Sequence, residues 1–126
     1  IESIAGTGKT GSADGLVGGA TFTYPGDITK GNISGGILYV ADTSNNKIRT
    51  VVVGSNVTTL AGQAGGGFLD GTLSTARFNI PSGVSFDFAT DTLYVADTAN
   101  HRVRAIDISK SFPGLFHLWF SSTNSF

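Results

Sequence analysis

The chain contains no cysteine, which excludes a disulfide framework and any metal site built from thiolates. It has only two histidines among 126 residues, and this argues against a histidine-rich metal centre. No stretch approaches the roughly 20 apolar residues of a membrane-spanning helix. The sequence therefore predicts no membrane span.

Charged residues are also scarce and of balanced sign. Eight lysines and arginines stand against nine aspartates and glutamates, for a formal net charge of -1, and the basic residues do not cluster. A nucleic-acid-binding face usually gathers basic side chains into a patch. The composition predicts neither a nucleic-acid partner nor electrostatic attachment to a membrane.

Glycine, serine, threonine and asparagine are abundant, whereas helix-forming residues are few. Such a composition favours an all-β protein rich in turns. Residues 94–104 repeat the pattern of residues 39–49, and each copy is typical of a strand, a tight polar turn and a second strand. The duplication predicts one supersecondary unit that is used more than once.

The two copies can be aligned over almost their whole length. Ala5-Gly6 matches Ala61-Gly62 at a spacing of 56 residues, and Tyr39 matches Tyr94 at a spacing of 55. The one-residue change falls in a glycine-rich turn, where insertions are tolerated. Residues 6–22 and 62–78 are predicted to be long connections between sheets. The predicted strands are residues 1–5, 27–30, 37–41 and 47–53 in the first copy and residues 57–61, 82–88, 92–96 and 102–106 in the second.

The second copy closely resembles an NHL repeat, a unit of β-propeller proteins. The resemblance rests on Thr59-Leu60-Ala61-Gly62, Asp70-Gly71, Ala76-x-Phe78, Pro81-x-Gly83-Val84 and Leu93-Tyr94-Val95-Ala96-Asp97-Thr98-x-Asn100-His101-Arg102-Val103-Arg104. The first copy departs at Asn46, which stands where the second has His101, and at Asp27, which follows Gly26 where Val84 follows Gly83. The resemblance implies two four-stranded antiparallel propeller blades within residues 1–110.

Two blades do not close a propeller, which typically has four to eight. Three arrangements are compatible with this: two blades of a longer chain, head-to-tail assembly in which the outer strand of one copy completes the last blade of the next, or an unfamiliar two-blade fold. The second blade is expected to lack a regular outer strand, because Pro113 falls where that strand is due.

Residues 111–126 form an aromatic, apolar C-terminal tail without a charged residue. Such a tail either packs on its own chain as an irregular outer strand or docks on another subunit. In the second case aromatic side chains are the expected interface residues. These candidates are Phe112, Phe116, Trp119 and Phe120.

The Asp-Thr-x-Asn segments could supply metal ligands or general bases, but their position after a strand favours structural turns. Short acceptor side chains at a strand end are typical of Asx turns. The arginine that comes after each segment is expected to pair with carboxylates of neighbouring strands or blades. The predicted structural residues are Asp42, Asn45, Arg49, Asp97, Asn100 and Arg104, and no catalytic residue is assigned.

Oxygen-bearing side chains on the inner strands are the remaining candidates for a ligand site. Asp27, Thr29, Ser85 and Asp87 would face a central channel, where carboxylates could hold Ca²⁺. The main expectation is that no cofactor is bound, with calcium as the alternative.

Two N-glycosylation sequons are present, Asn32-Ile33-Ser34 and Asn56-Val57-Thr58, and both fall in predicted turns. They arise either by chance or as glycosylated sites. The second possibility favours a secreted, extracellular protein.

Together these observations predict a non-enzymatic propeller module that binds proteins or self-associates through open blade edges and the tail, as an interaction scaffold or a structural subunit of an extracellular assembly. One alternative is a fragment of a propeller enzyme, of the lyase or lactonase type, with a channel metal. Another is an RNA-binding NHL propeller, which the near-neutral charge disfavours.

Overall fold

The computed structural model describes residues 1–32 and 34–111 and confirms the predicted all-β fold. The tail candidates Phe112, Phe116, Trp119 and Phe120 lie outside the described residues. The strands are β1 (Gly15–Leu16), β2 (Pro25–Lys30), β3 (Ile37–Asp42), β4 (Lys47–Val52), β5 (Asn56–Gly62), β6 (Pro81–Asp87), β7 (Thr92–Asp97) and β8 (Arg102–Asp107). Three 3₁₀ turns span Thr43–Asn45, Thr98–Asn100 and Ile108–Ser111.

The described strands form two antiparallel sheets, and β5, which comes from the second sequence copy, completes the first of them. The first sheet, here the first blade, has the order β1-β5-β4-β3-β2, and the second sheet, the second blade, has the order β6-β7-β8. Hairpins join the sequential strands from β2 to β5 and from β6 to β8, because short turns link antiparallel pairs. In the described part of the chain, the second blade therefore has three strands and no equivalent of β5.

The second hairpin of each blade turns through a 3₁₀ turn and one left-handed residue. Asn46 (φ 56°) ends the first turn and His101 (φ 55°) ends the second. Asparagine and histidine are among the residues that adopt this conformation more readily than most. The same turn geometry thus recurs at matching positions of both copies.

The predicted strand at residues 1–5 is wrong, because these residues pair with no strand. Instead, the N–H of Gly6 donates to the carbonyl oxygen of Val17, at 2.9 Å. A strand needs a hydrogen-bonded neighbour, and no described strand pairs with residues 1–5, although Ala5 packs on the face of the first sheet. The two-residue β1, which the sequence did not predict, lies in the connection after Gly6 and pairs with β5.

Two apolar clusters hold the molecule together. The larger lies between the blades and contains Tyr39 and Ile48 from the first blade, Leu93 and Val95 from the second, and Phe78 from the connection. The smaller packs residues of the N-terminal segment, such as Ala20 and Phe22, on the opposite face of the first blade, against Val40, Val51 and Val57. A connection therefore covers one face of each blade, and the second blade covers the other face of the first.

No helix among the described residues has the length and apolar character to cross a membrane.

Candidate interaction surface

A buried arginine ties the N-terminal connection to the first blade. Arg49 Nη1 donates to Asp42 Oδ2 at 2.6 Å and to the carbonyl oxygen of Thr21 at 3.0 Å. Its Nη2 donates to Asp14 Oδ1 at 2.8 Å and to the carbonyl oxygen of Ala13 at 2.9 Å. The side chains of Arg49 and Asp42 are fully buried, whereas that of Asp14 is 46% exposed. The charge is therefore neutralised and both terminal nitrogens are hydrogen-bonded, whereas the buried Nε has no hydrogen-bond partner among the described residues.

Asp42 and Asn45 complete this first network. Asp42 Oδ1 accepts from the N–H of Thr23 at 2.8 Å, and Asn45 Nδ2 donates at 2.7 Å both to Asp42 Oδ2 and to the carbonyl oxygen of Gly11. The end of β3, the turn and β4 thus bind the same connection, which fixes its path along the blade.

The second blade repeats the network with the matching residues. Arg104 donates to Asp97 at 2.7 Å and to Asp70 at 2.8 Å, and it also binds the carbonyl oxygens of Leu69 and Arg77. Asn100 Nδ2 donates to Asp97 Oδ2 at 2.8 Å. All six residues of the predicted turn motif consequently lie in two structural networks.

The Asx turns predicted at Asp42 and Asp97 are wrong in one respect. Neither carboxylate caps the 3₁₀ turn that comes after it. Each accepts instead from a backbone N–H far earlier in the chain, that of Thr23 for Asp42 and that of Asn79 for Asp97. The buried arginine draws the carboxylate away from its own turn, since a charge-assisted hydrogen bond is stronger than a neutral one.

The two departures of the first copy from the second make contacts between the blades. Asp27 Oδ2 accepts from the N–H of Val84 at 3.0 Å, and Asn46 Oδ1 accepts from the N–H of Ile80 at 2.8 Å. Sequence reasoning missed both roles, although the departures themselves were the signal. They stand where the first blade meets the second.

The corresponding face of the second blade is open to solvent in the described structure. Tyr94 is 42% exposed and Val103 is 76% exposed. Their first-blade equivalents, Tyr39 and Ile48, are only 1% and 0% exposed, because the second blade covers them. This open face, defined by Tyr94, Ala96, Val103 and Ala105, is called the leading face.

Tyr39 shows how fully the equivalent face of the first blade is buried. Burial raises the pKa of its hydroxyl to about 12, with a smaller contribution from the negative charge of Asp91. The ring also packs on Phe86 of the second blade, with centroids 5.6 Å apart. The junction between blades is therefore an apolar interior.

A hollow of about 870 Å³ lies beside the outer edge of β8. Phe68, Asp70, Phe78, Arg104 and Ile106 are among its lining residues. In the first blade, β5 lies along the matching edge of β4. The hollow therefore occupies the place of an outer strand.

The two aspartates among the inner-strand candidates for calcium accept hydrogen bonds from the protein. Asp27 accepts from the N–H of Val84, and Asp87 accepts from the hydroxyl of Thr90 and the N–H of Ala89. The two hydrogen bonds to Asp87, that of Thr90 first, lower the pKa of its carboxyl. Within residues 1–32 and 34–111, no three histidine, aspartate or glutamate side chains form a group suited to a metal ion. Calcium binding at Asp27, Thr29, Ser85 and Asp87 stays a prediction.

Both sequon asparagines are exposed. Asn32 donates from Nδ2 to Asp91 Oδ1 at 2.9 Å, and Asn56 begins β5 opposite Leu16. Occupancy of the sequons and an extracellular location stay predictions.

Comparison with known proteins identifies the repeat. The family model described as NHL repeat matches residues 78–106. NHL repeat-containing protein 2 from Bos taurus is 35% identical over 120 residues, which cover 91% of this chain and 16% of that protein. Protein SUPPRESSOR OF QUENCHING 1, chloroplastic, from Arabidopsis thaliana is 34% identical over 103 residues, covering 81% of this chain and 10% of that protein.

Solved structures share the fold. An auxiliary nutrient binding protein from Bacteroides ovatus superposes with a TM-score of 0.71 at 29% identity, covering 77% of this chain and 26% of that one. The chain thus spans 10% and 16% of the two curated relatives and about a quarter of this structural neighbour. The likeness confirms the prediction of propeller blades.

Proposed function

Because the chain belongs to the NHL-repeat family, we propose that it acts as a non-enzymatic interaction scaffold whose binding surface is the leading face of the second blade. The propeller fold supports an interaction module in general. Fold alone does not fix function, however, so the proposal depends on the surface itself.

The observation that carries the proposal is the contrast between equivalent faces. The leading face presents Tyr94 and Val103 to solvent, whereas the matching side chains of the first blade are buried beneath β6 and β7. Exposed apolar side chains that share one surface are typical of protein interaction sites. An aromatic ring at the centre of such a surface is a common energetic anchor.

The internal repeat also indicates what kind of surface fits. The first blade receives Phe86, Leu93 and Val95 of its neighbour on the face equivalent to the leading face. A partner should therefore present a β-sheet with branched aliphatic and aromatic side chains, as another propeller blade does. Arg102 and His101 border the leading face and are exposed, so the rim is polar, as at most protein interfaces.

The proposal is tested by placing a charge on the leading face. Val103→Glu would bury a carboxylate in the expected interface, whereas Val53→Glu makes the same change at a residue that is 44% exposed in the turn between β4 and β5. We expect the native mass of the wild-type chain, measured by light scattering at about 100 µM, to exceed that of one 13.0 kDa copy. Val103→Glu should return it to one copy, and Val53→Glu should not.

Two results would contradict the proposal. The first is a wild-type chain whose native mass stays that of one copy while its far-ultraviolet circular dichroism spectrum shows folded β-structure, because the leading face would then not act as a binding surface. The second is association that Val103→Glu leaves unchanged, since the leading face would then remain outside the contact.

A further inference from the structure

The outer edge of β8 and the adjacent hollow, together called the β8 slot, match a place that is filled in the first blade. Among residues 1–32 and 34–111, no strand pairs with that edge. In the first blade, β5 fills the place and pairs with β4 from Val57 to Gly62. An unpaired edge presents a row of free N–H and C=O groups to which an extended segment can add.

The first blade shows which contacts such a segment makes. Asp14 accepts from both the N–H and the hydroxyl of Thr59 on β5, at 3.2 and 3.1 Å, while it also pairs with Arg49. Asp70 matches Asp14 in the second copy and pairs with Arg104, but its side chain is 77% exposed. The carboxylate of Asp70 therefore lines the β8 slot, where it is exposed to solvent and available to an added strand.

Residues 3–6 resemble the end of β5, the strand that fills this place in the first blade. Ser3, Ile4, Ala5 and Gly6 align with Thr59, Leu60, Ala61 and Gly62 at the same spacing of 56 residues that relates Asp14 to Asp70. Gly6 already has a φ of 102°, close to the 95° of Gly62 at the end of β5. Residues 1–4 are exposed and outside any strand, so they are accessible to another molecule.

We propose that residues 1–6 of a second copy of this chain bind in the β8 slot as an added antiparallel strand. The inference deepens the proposed function, because it names the partner that the leading face receives and the contact that aligns the two copies. The first blade of the second copy would come directly after its own residues 1–6 and cover the leading face.

The pairing of β4 with β5 fixes the expected alignment. There Thr58 lies opposite Thr50, and Thr59 lies opposite Arg49. Transfer by the repeat spacings places Glu2 opposite Ala105 and Ser3 opposite Arg104. The N–H and hydroxyl of Ser3 would then reach Asp70, as those of Thr59 reach Asp14.

Disulfide trapping tests this alignment directly, since the chain contains no cysteine. Glu2→Cys is mixed with isotopically labelled Ala105→Cys, and mixed-mass disulfides are counted by mass spectrometry after mild oxidation. Directly opposed residues of an antiparallel pair lie within disulfide reach. The control is Ser85→Cys, an exposed site on β6 at the far edge of the same sheet. We expect about ten times more mixed disulfide with Ala105→Cys than with Ser85→Cys.

A second variant perturbs the added strand without touching either blade. Ser3→Pro removes an N–H and a ladder hydrogen bond, and residue 3 belongs to no strand of its own chain. We expect Ser3→Pro to lower the native mass to one copy while its thermal unfolding stays that of the isolated wild-type chain.

The outcomes separate this inference from the proposed function. Equal disulfide yields with Ala105→Cys and Ser85→Cys, with association still abolished by Val103→Glu, would contradict binding of residues 1–6 in the β8 slot. The same result would still support binding through the leading face. Occupation of the slot by residues 112–126 of the same chain would give that result. Loss of association in Val103→Glu together with preferential trapping in the Cys pair supports both proposals.

Discussion

Arg49 allows two carboxylates to be compared on a single guanidinium. Asp42 binds it from a fully buried position and Asp14 from a half-exposed one, at 2.6 and 2.8 Å. The perturbations are Asp42→Ala and Asp14→Ala. Because distance, partner and residue type are nearly matched, the difference in the free energy of unfolding mainly reports burial of the carboxylate and of the hydrogen bonds that it accepts.

The expected costs differ severalfold. Asp42→Ala leaves a buried guanidinium without its closest counter-charge, a change that typically costs about 3–5 kcal/mol. It also removes the acceptor of the Thr23 N–H. Asp14→Ala removes an exposed pair and the acceptor for Thr59, whose groups water can reach, so the expected cost is about 0.5–1.5 kcal/mol.

Urea unfolding followed by circular dichroism measures both changes. With a denaturant slope of about 2 kcal/mol per molar, a loss of about 4 kcal/mol lowers the midpoint by about 2 M. If Asp42→Ala does not fold, Asp42→Asn provides the measurement, because its amide oxygen still accepts hydrogen bonds while the charge is lost. The reasoning is refuted if Asp42→Ala or Asp42→Asn costs no more than Asp14→Ala.

Two further predictions concern the junction between the blades. The pKa of Tyr39 is about 12 in the folded protein and about 10 in the unfolded chain. The stability that comes from this difference is therefore fully present below pH 10 and is lost as the pH rises towards 12, about 3 kcal/mol in all. Urea midpoints of Tyr39→Phe should therefore fall less over that range than those of the wild type, and equal slopes would contradict the assignment. Gly62→Ala should lower the free energy of unfolding by more than about 2 kcal/mol, since Gly62 has a φ of 95° and its added Cβ would lie 2.4 Å from the carbonyl oxygen of Asn46. Gly65→Ala meets no atom within 4 Å and is the matched control, so similar losses in both variants would disprove the steric argument.

The repeat made the fold predictable from sequence. Strand patterns alone are ambiguous when they are short, but two copies with matching turns restrict the alternatives to one supersecondary unit. The predicted segment 92–96 lies within β7, and 102–106 lies within β8. The positions of Arg49 and Arg104 within the repeat also indicated that they would meet carboxylates.

The identity of those contacts could not be predicted, because each depends on the path of a connection. Asp14 lies 35 residues from Arg49, in a segment without hydrophobic periodicity that could guide its placement. Strand 1–5 was predicted from its likeness to β5. Sequence similarity to β5 indicates that residues 1–5 can adopt a strand, whereas the strand forms only where the edge of another strand is available for hydrogen bonding.

The two arginine networks explain why the open surfaces lie at the same side of the second blade. Each arginine binds the connection that precedes its own blade, so that connection covers the face opposite the leading face or its first-blade equivalent. The leading face and outer edge, by contrast, depend on the elements that come after the blade in the chain. In the first blade β5 pairs with the outer edge of β4, and the face is covered by the second blade. Asp27 and Asn46, the residues that differ between the copies, bind Val84 of the second blade and Ile80 just before it. The open side of the second blade and the exposed residues 1–4 therefore match two parts of the junction that the first blade forms, and this match is the physical basis of the proposed association between copies.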